Sequence, residues 1–436
     1  MHYPWWYVPA LTAPMLIAVI AVIHVIVSHY AVGGGILLAL ENQFAVKTGN
    51  TKYRDYLHKH AQFFVLLTVA FGAITGVGIW WTIALTSPLA TEMLIREFVF
   101  GWAIEWVFFI IEIVAAFIMY YQWTKLPPKT HIIITWIYAA AAWISLVLIT
   151  GITAFMLDSR GLIANWSETG NFWHAFFNLQ FLPQTITRTG GALLLAALYV
   201  FCHCTWTFRQ ENKTAEEQDI FDLTIRRSSR YIITGAVLIV IGFGWGLLLL
   251  RPEVFSVMER AVLINVLVSI IFGVCALLAL GVAAFPLFNP RSVNFGFALS
   301  LFIFGIIALA ASEFAREAIR KPWIVDQAVL GSQILKQEVQ DRQKNGYLRD
   351  TAWQKIPADK KERGGMVFMY HCNNCHAAEH GMSAAGPLLL GLNKEKIADK
   401  MRNLNESVIS MPPWAGTEDE LDCLSEYLVS IRPERP

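Results

Sequence analysis

The sequence predicts an all-α protein: an eight-span transmembrane helical bundle followed by a small helical domain. Three observations carry this expectation. Hydrophobic residues make up 56% of the 436-residue chain and charged ones 15%, a balance that assigns most of the chain to lipid. Apolar runs recur, each near the roughly 20 residues that a bilayer core requires. Past residue 320 the composition turns polar, and the last stretch, Glu418 to Ile431, spaces Leu421, Leu424, Leu428 and Val429 as a helix does.

The apolar runs fall at about residues 9–40, 61–86, 97–121, 132–156, 184–207, 231–250, 261–287 and 295–318. The first is too long for a cleavable signal and lacks a basic start and a small-residue cleavage site, so it reads as a retained span. Trp5, Trp6, Tyr7, Trp80, Trp81, Tyr120 and Tyr121 cluster near span ends, as in an interfacial aromatic belt. Alternate connections differ in charge. Lys47, Lys52, Arg54, Lys59, Lys125, Lys129, Arg209, Lys213, Arg226, Arg227, Arg230 and Arg291 fall on one side; Arg96, Arg160, Arg251 and Arg260 fall on the other. The positive-inside rule then puts the N-terminus outside, and eight spans bring residue 320 back to that side. The expected location is a bacterial inner membrane, with the lipid bilayer as the main surrounding. The net charge of +1 says nothing useful about partners; nucleic acid is not expected among them.

Residues 321–362 read as a linker with a short helix over Asp326 to Gln343 and a turn at Asn345-Gly346, long enough for the last domain to dock or swing. That domain, 363–436, holds Cys372-Asn373-Asn374-Cys375-His376. Two cysteines at this spacing followed at once by histidine are the attachment signature of a c-type haem. Each thiol forms a thioether to a vinyl group, and His376 presents its imidazole to the iron. A zinc half-site is the competing reading of the pentapeptide. Met411, in Ser410-Met411-Pro412-Pro413-Trp414, supplies a thioether suited to the sixth position; otherwise it is a core methionine. With Gly386-Pro387-Leu388 and the closing helix, residues 363–434 resemble a class I cytochrome c domain. One covalent haem c is the cofactor that this implies.

Ionisable groups inside spans are functional candidates by default. His24 lies mid-way along the first span, and His29 follows five positions on, pointing to another side of the helix. Glu105 and Glu112 are about two turns apart and line one face of the third span. Glu313 and Glu317 share a face at the outer end of the eighth. Imidazole ligates haem iron, and carboxylates ligate iron or relay protons. The alternative for His24 is a core histidine bonded to a neighbour; Glu112 fits a proton path as well as ligation. His58, His60 and His131 read as solvated surface near inner loops. Cys202-His203-Cys204 reads as helix-end packing, and Cys275 and Cys423 as buried.

These residues are similar to subunit I of the cytochrome bd-type oxidases over 1–323. His24 precedes Gly33-Gly34-Gly35; Phe100-Gly101 precedes Glu105 and Glu112; and Glu317-Ala318-Ile319-Arg320-Lys321-Pro322-Trp323 matches a Glu-x-x-Arg-x-Pro-Trp motif. The resemblance implies two or more b- or d-type haems in the membrane part, close to His24, Glu105 and Glu317, with Glu112 on the proton route and Glu317 favoured over Glu313. It also implies a second membrane subunit, like subunit II. The sequence departs from the family in three ways. The low-spin haem's histidine in span five and methionine in span seven are missing, so that site is expected to be lost. His174, just outside span five, is a weaker candidate for a haem ligand. The long quinol loop between spans six and seven shrinks to Arg251–Arg260, and the haem c segment stands where a ninth span would be.

The reading that follows is a respiratory oxidoreductase. A soluble cytochrome c or other periplasmic donor reduces the haem c, electrons pass to the membrane haems, and O2 or a similar small molecule such as nitric oxide is reduced. Two alternatives are an electron-transfer subunit of a larger complex and a haem-based gas sensor. The oxidase needs an exchangeable iron position, whereas a conduit needs two firm ligands on every iron.

Overall fold

The computed structural model describes residues 6–210, 213–350 and 355–433; Trp5 and the Arg260 side chain lie outside the described residues. Eight helices long and apolar enough to cross a membrane run Ala13–Thr48, Thr51–Thr86, Val99–Tyr121, Pro128–Phe155, Phe181–Thr207, Ala215–Leu248, Val262–Ala284 and Phe295–Ile319. They are numbered spans 1 to 8 here. The protein is an all-α integral membrane bundle followed by a smaller helical module.

Several spans outrun their apolar cores because their polar turns are paired. Glu41, late in span 1, accepts from Tyr53 at 2.9 Å and from Tyr231 at 2.6 Å, and is ion-paired with Arg227. Span 6 therefore begins at Ala215, under a Thr214–Glu217 capping box, and residues 215–230 are helix rather than the expected loop. Two histidines read as solvated are buried. His131 sits between the Asn42 amide at 3.1 Å and the Met119 carbonyl at 2.9 Å, and His60 takes the Tyr30 hydroxyl at 3.1 Å. Neighbouring helices supply the polar partners that water was expected to give.

Span 1 is the central post. It packs on spans 2, 4, 5 and 8. At Gly33 a Cβ would come within 1.9 Å of the Ala192 carbonyl oxygen of span 5, so only glycine lets the two backbones approach this closely. Span 2 is an α-helix over Thr51–Val65, a π-turn over Leu66–Phe71 and an α-helix over Gly72–Thr86.

After span 8 the chain forms a small antiparallel hairpin, β1 (Trp323–Val325) and β2 (Val329–Leu330). The expected helix over 326–343 is confined to Val339–Asn345, after a 3-10 turn at Lys336–Glu338. Burial explains the difference. Val325, Val329, Leu330 and Ile334 are buried. Asp326 accepts from the Ser159 backbone at 2.9 Å, the Ser159 hydroxyl at 2.8 Å and Arg251 at 2.9 Å. Its carboxyl is raised above the usual range, chiefly by burial. The Asn345-Gly346 turn forms, with Gly346 at φ 100°.

The module's helices Lys360–His371 and Glu418–Ser430 pack on each other around Val367, Phe368, Leu421 and Leu424. It rests on the face formed by the start of span 1 and the ends of spans 2, 4 and 8. Met382 N–H donates to the Ala10 carbonyl at 2.9 Å, Gln333 donates to the Thr86 carbonyl at 2.9 Å, and Ile409 packs against the apolar cluster that holds Leu157, Met258 and Ile319. Residues 321–350 are thus a packed collar rather than a swinging tether.

Candidate functional site

Three sets of chemistry-bearing residues emerge. The first lies in the C-terminal module. Helix Lys360–His371 ends at the cysteine pair, and the turn that follows brings the His376 Nδ1 atom to 2.7 Å from the Ser383 carbonyl oxygen. A carbonyl only accepts, so Nδ1 carries the proton and Nε2 keeps its lone pair. Burial holds the His376 pKa below the ordinary value, which favours the neutral, ligating ring. Burial likewise pushes the Cys372 thiol up to about 12. Met411 is held by its backbone, which donates to the Val408 carbonyl at 2.9 Å and accepts from Asn405 at 2.8 Å.

Sequence reasoning passed over His371 and Trp414. His371 is buried between the rings of Tyr347 and Trp414, and neither of its nitrogens has a hydrogen-bond partner among the described residues. Its pKa falls to about 4 through burial. Trp414 Nε1 is also buried without an acceptor among the described residues. The Trp414 N–H and the single N–H of a neutral His371 ring fit a group that brings acceptor oxygens, as haem propionates do.

The second set lies among spans 1 to 4. His24 Nδ1 is 3.0 Å from the Thr75 hydroxyl, which donates in turn to the Phe71 carbonyl at 2.8 Å. The hydroxyl proton is spent on that carbonyl, so the His24 ring donates and its Nε2 lone pair stays free. The π-turn ending at Phe71 sets the rotation that brings Thr75 to this position. Glu105 accepts from Ser145 at 2.8 Å and Glu112 from Tyr138 at 3.0 Å, both donors on span 4. The two carboxylates do share a face, and that face meets span 4.

The third set lines a partly open cavity bordered by spans 1, 5, 6, 7 and 8. His29, Arg188, Glu313 and Arg316 reach it, among walls that are otherwise mostly apolar. Glu313 is buried and paired with Arg316 at 2.8 Å. Glu317 is not among the walls; it pairs with Arg320 at 2.5 Å. His24 and His29 thus serve different sets, as their spacing requires. His174 sits in the connection between spans 4 and 5, its Nδ1 2.8 Å from the Thr169 hydroxyl, away from all three sets. Arg188 was missed by the sequence reading, although an arginine inside span 5 is itself a signal. Cys204, Cys275 and Cys423 are buried, and His203 bonds the Tyr56 hydroxyl at 3.3 Å. Among the described residues, no group of three or more His, Cys, Asp or Glu side chains is arranged to hold a bare metal ion.

Residues 13–250 match the family described as cytochrome bd terminal oxidase subunit I. No curated protein matches the chain. The fold is similar to that of the bd oxidase from Geobacillus thermodenitrificans, with a TM-score of 0.58 and 16% identity over 73% of this chain and 89% of that chain. Proteins of the matched family are respiratory oxidoreductases of the membrane, normally bind b- or d-type haems, and usually pair with a second subunit. The match spans more than half of the sequence, and the chain belongs to the cytochrome bd terminal oxidase subunit I family.

Proposed function

We propose that this protein is a membrane haem oxidoreductase that takes electrons from an outer-side donor through a covalent haem c and delivers them to bd-like haems, where O2 is reduced. In this reading residues 1–320 are the membrane haem domain, 321–362 the connection, and 363–436 a class I cytochrome c domain on the periplasmic side. Cys372 and Cys375 carry the thioether bonds, and His376 and Met411 are the axial ligands. His24, Glu105 and Glu317 hold membrane haems. The observation that carries the reading is the His376–Ser383 contact, because it leaves a lone pair on Nε2 directly after the cysteine pair. His24, tied to Thr75, is prepared in the same way.

When bound, the haems supply the electron and oxygen chemistry. The chain's own residues do the rest. Thr75 orients the His24 ring. Tyr138 donates to Glu112, so a carboxylate inside the bundle stands ready to accept and release a proton. Gln333 and Ile409 keep the C-terminal module seated, so electron transfer needs no domain excursion. A second membrane subunit would cover apolar faces such as Leu299, Ile303 and Ile307 of span 8, which are exposed in the single chain.

The test is an optical one on the purified full-length protein, with O2 uptake measured alongside. A carbon monoxide shift in a noncovalent haem band, with O2 consumption driven by reduced soluble cytochrome c, is expected. Noncovalent haem with no such shift would mean a conduit. Material holding the covalent haem alone would remove the membrane haems from the reading.

A further inference from the structure

The Cys372–His376 loop rests on the collar. Asn374, between the two cysteines, donates from its side-chain amide to the Gly331 carbonyl at 2.6 Å. A Cβ on Gly331 would stand 3.8 Å from Cys375 Sγ. Gly331, Ser332 and Gln333 are all buried, and Gln333 reaches on to the bundle. Its amide donates to the Thr86 carbonyl at 2.9 Å and to the Ser87 hydroxyl oxygen at 3.1 Å. One short turn thus joins the cysteine loop to the outer end of span 2. Trp80 lies six residues inward from Thr86 on that span, about 9 Å at 1.5 Å per residue. Its ring meets that of Trp102 on span 3, with centroids 5.0 Å apart and planes at 65°, the edge-on contact that aromatic rings favour. Trp102 is pinned by its indole N–H, which donates to the Leu94 carbonyl at 3.1 Å. One turn inward from Trp80 is Gly76, whose Cβ position is 3.4 Å from the His24 ring. Three residues inward from Trp102 is Glu105. The tryptophan pair therefore stands between the collar and two candidate ligands, His24 and Glu105.

We infer that this run of contacts is the electron bridge from the covalent haem to the membrane haem at His24, with Asn374, Gln333, Trp80 and Trp102 as its positioning residues. Electron tunnelling weakens steeply with every added gap, and bonded or closely packed atoms carry it better than empty space. A module on a loose tether would sample many separations; the Gln333 and Asn374 amides hold one. The tryptophan rings fill the interval that remains, between the outer end of span 2 and the level of His24. Resting on the function proposed above, the bridge carries one electron from the covalent to the noncovalent haem, oxidising one iron as it reduces the other. No proton moves, no bond breaks, and neither indole is itself oxidised.

The experiment uses the full-length protein without oxygen. A laser flash on a soluble ruthenium tris-bipyridyl dye, with a sacrificial donor, injects an electron into the covalent haem, and the covalent and noncovalent bands are followed separately. The covalent band is expected to reoxidise in a fast phase as the noncovalent band grows. Gln333→Ala and Trp102→Leu should each lose that fast phase while both haems are still present. Trp102→Phe, which keeps an aromatic ring, should retain it, and the midpoint potential of the covalent haem should be the same in both Trp102 variants. A fast phase retained in Gln333→Ala or in Trp102→Leu overturns the inference. So does a loss that the phenylalanine variant shares, or one that a moved potential accounts for, because either makes Trp102 a packing residue only. If Trp102→Leu does not keep its noncovalent haem, Trp80→Leu decides by the same criteria. Native protein in which no electron passes from the covalent to a noncovalent haem would instead sink the function proposed above, and the bridge with it.

Discussion

His24 Nδ1 and the Thr75 hydroxyl lie 3.0 Å apart, and that single contact joins span 1 to the helix that follows the π-turn of span 2. It fixes both the tautomer and the rotation of a histidine within the bundle. Outer-shell partners of this kind hold a ligand ready before a cofactor arrives.

Thr75→Val should therefore act without touching a ligand. It keeps the side-chain volume and removes the acceptor for Nδ1–H. Haem bound at His24 is expected to be retained about 10- to 100-fold more weakly. Transfer to apomyoglobin, followed by absorbance, measures this; equal retention in both proteins would falsify the orienting role.

In the proposed function Glu112 passes protons, and Tyr138 donates to it at 3.0 Å. Glu112→Gln preserves shape and hydrogen bonding but cannot carry a proton away. O2 uptake should fall by roughly 100-fold, in the range for a lost proton-transfer group, while reduction of the haems by donor continues. Stopped-flow reduction beside an oxygen electrode separates the two.

His376→Ala should abolish the covalent haem band and leave the noncovalent haems in place. The module's ring nitrogen is oriented by Ser383, inside the module itself, and the bundle has its own histidines. Haem staining after denaturing electrophoresis reads the covalent group; organic extraction reads the others. Loss of both together would contradict a two-part division.

Gly33→Ala should strain the contact between spans 1 and 5. The new methyl would meet the Ala192 carbonyl, a backbone atom that cannot rotate away. Overpacking of this kind costs about 1–3 kcal/mol. A lowered thermal midpoint of the purified bundle is the expected result.

A pH dependence follows from Asp422. Hydrogen bonds from Lys360 and Lys394 hold its pKa down to about 2, below the ordinary 3.8. A depressed carboxyl stabilises the fold above the unfolded value, and that contribution is lost as pH falls through the folded one. Asp422→Asn should therefore weaken the closing helix Glu418–Ser430 at neutral pH, with the effect shrinking as pH falls toward and below about 2. Asp422 and its two lysines are on the surface, so the loss is small. Hydrogen exchange of the helix amides at both pH values is the check.

The outline of this protein was legible because its signals are local. Apolar runs announce spans whatever surrounds them, and all eight helices formed. The pairing of Glu105 with Glu112 on one face follows from helix period alone. The Asn345-Gly346 turn needed only the conformational freedom of glycine. Spacing also separated His24 from His29, although it did not say which spans each would meet.

What sequence alone determined was the bundle, the Cys-x-x-Cys-His spacing and the residues that are candidates for ligation. What tertiary structure decided was their company. His60 and His131 are buried because distant helices give them Tyr30, Asn42 and the Met119 carbonyl. The hairpin replaces a helix because Asp326 finds Ser159 and Arg251 far away in the chain. Arg188 faces a cavity because five spans leave one between them. Hydrogen-bond partners and cavities are properties of packed surfaces, and a helical period fixes which side a residue faces but never what it faces.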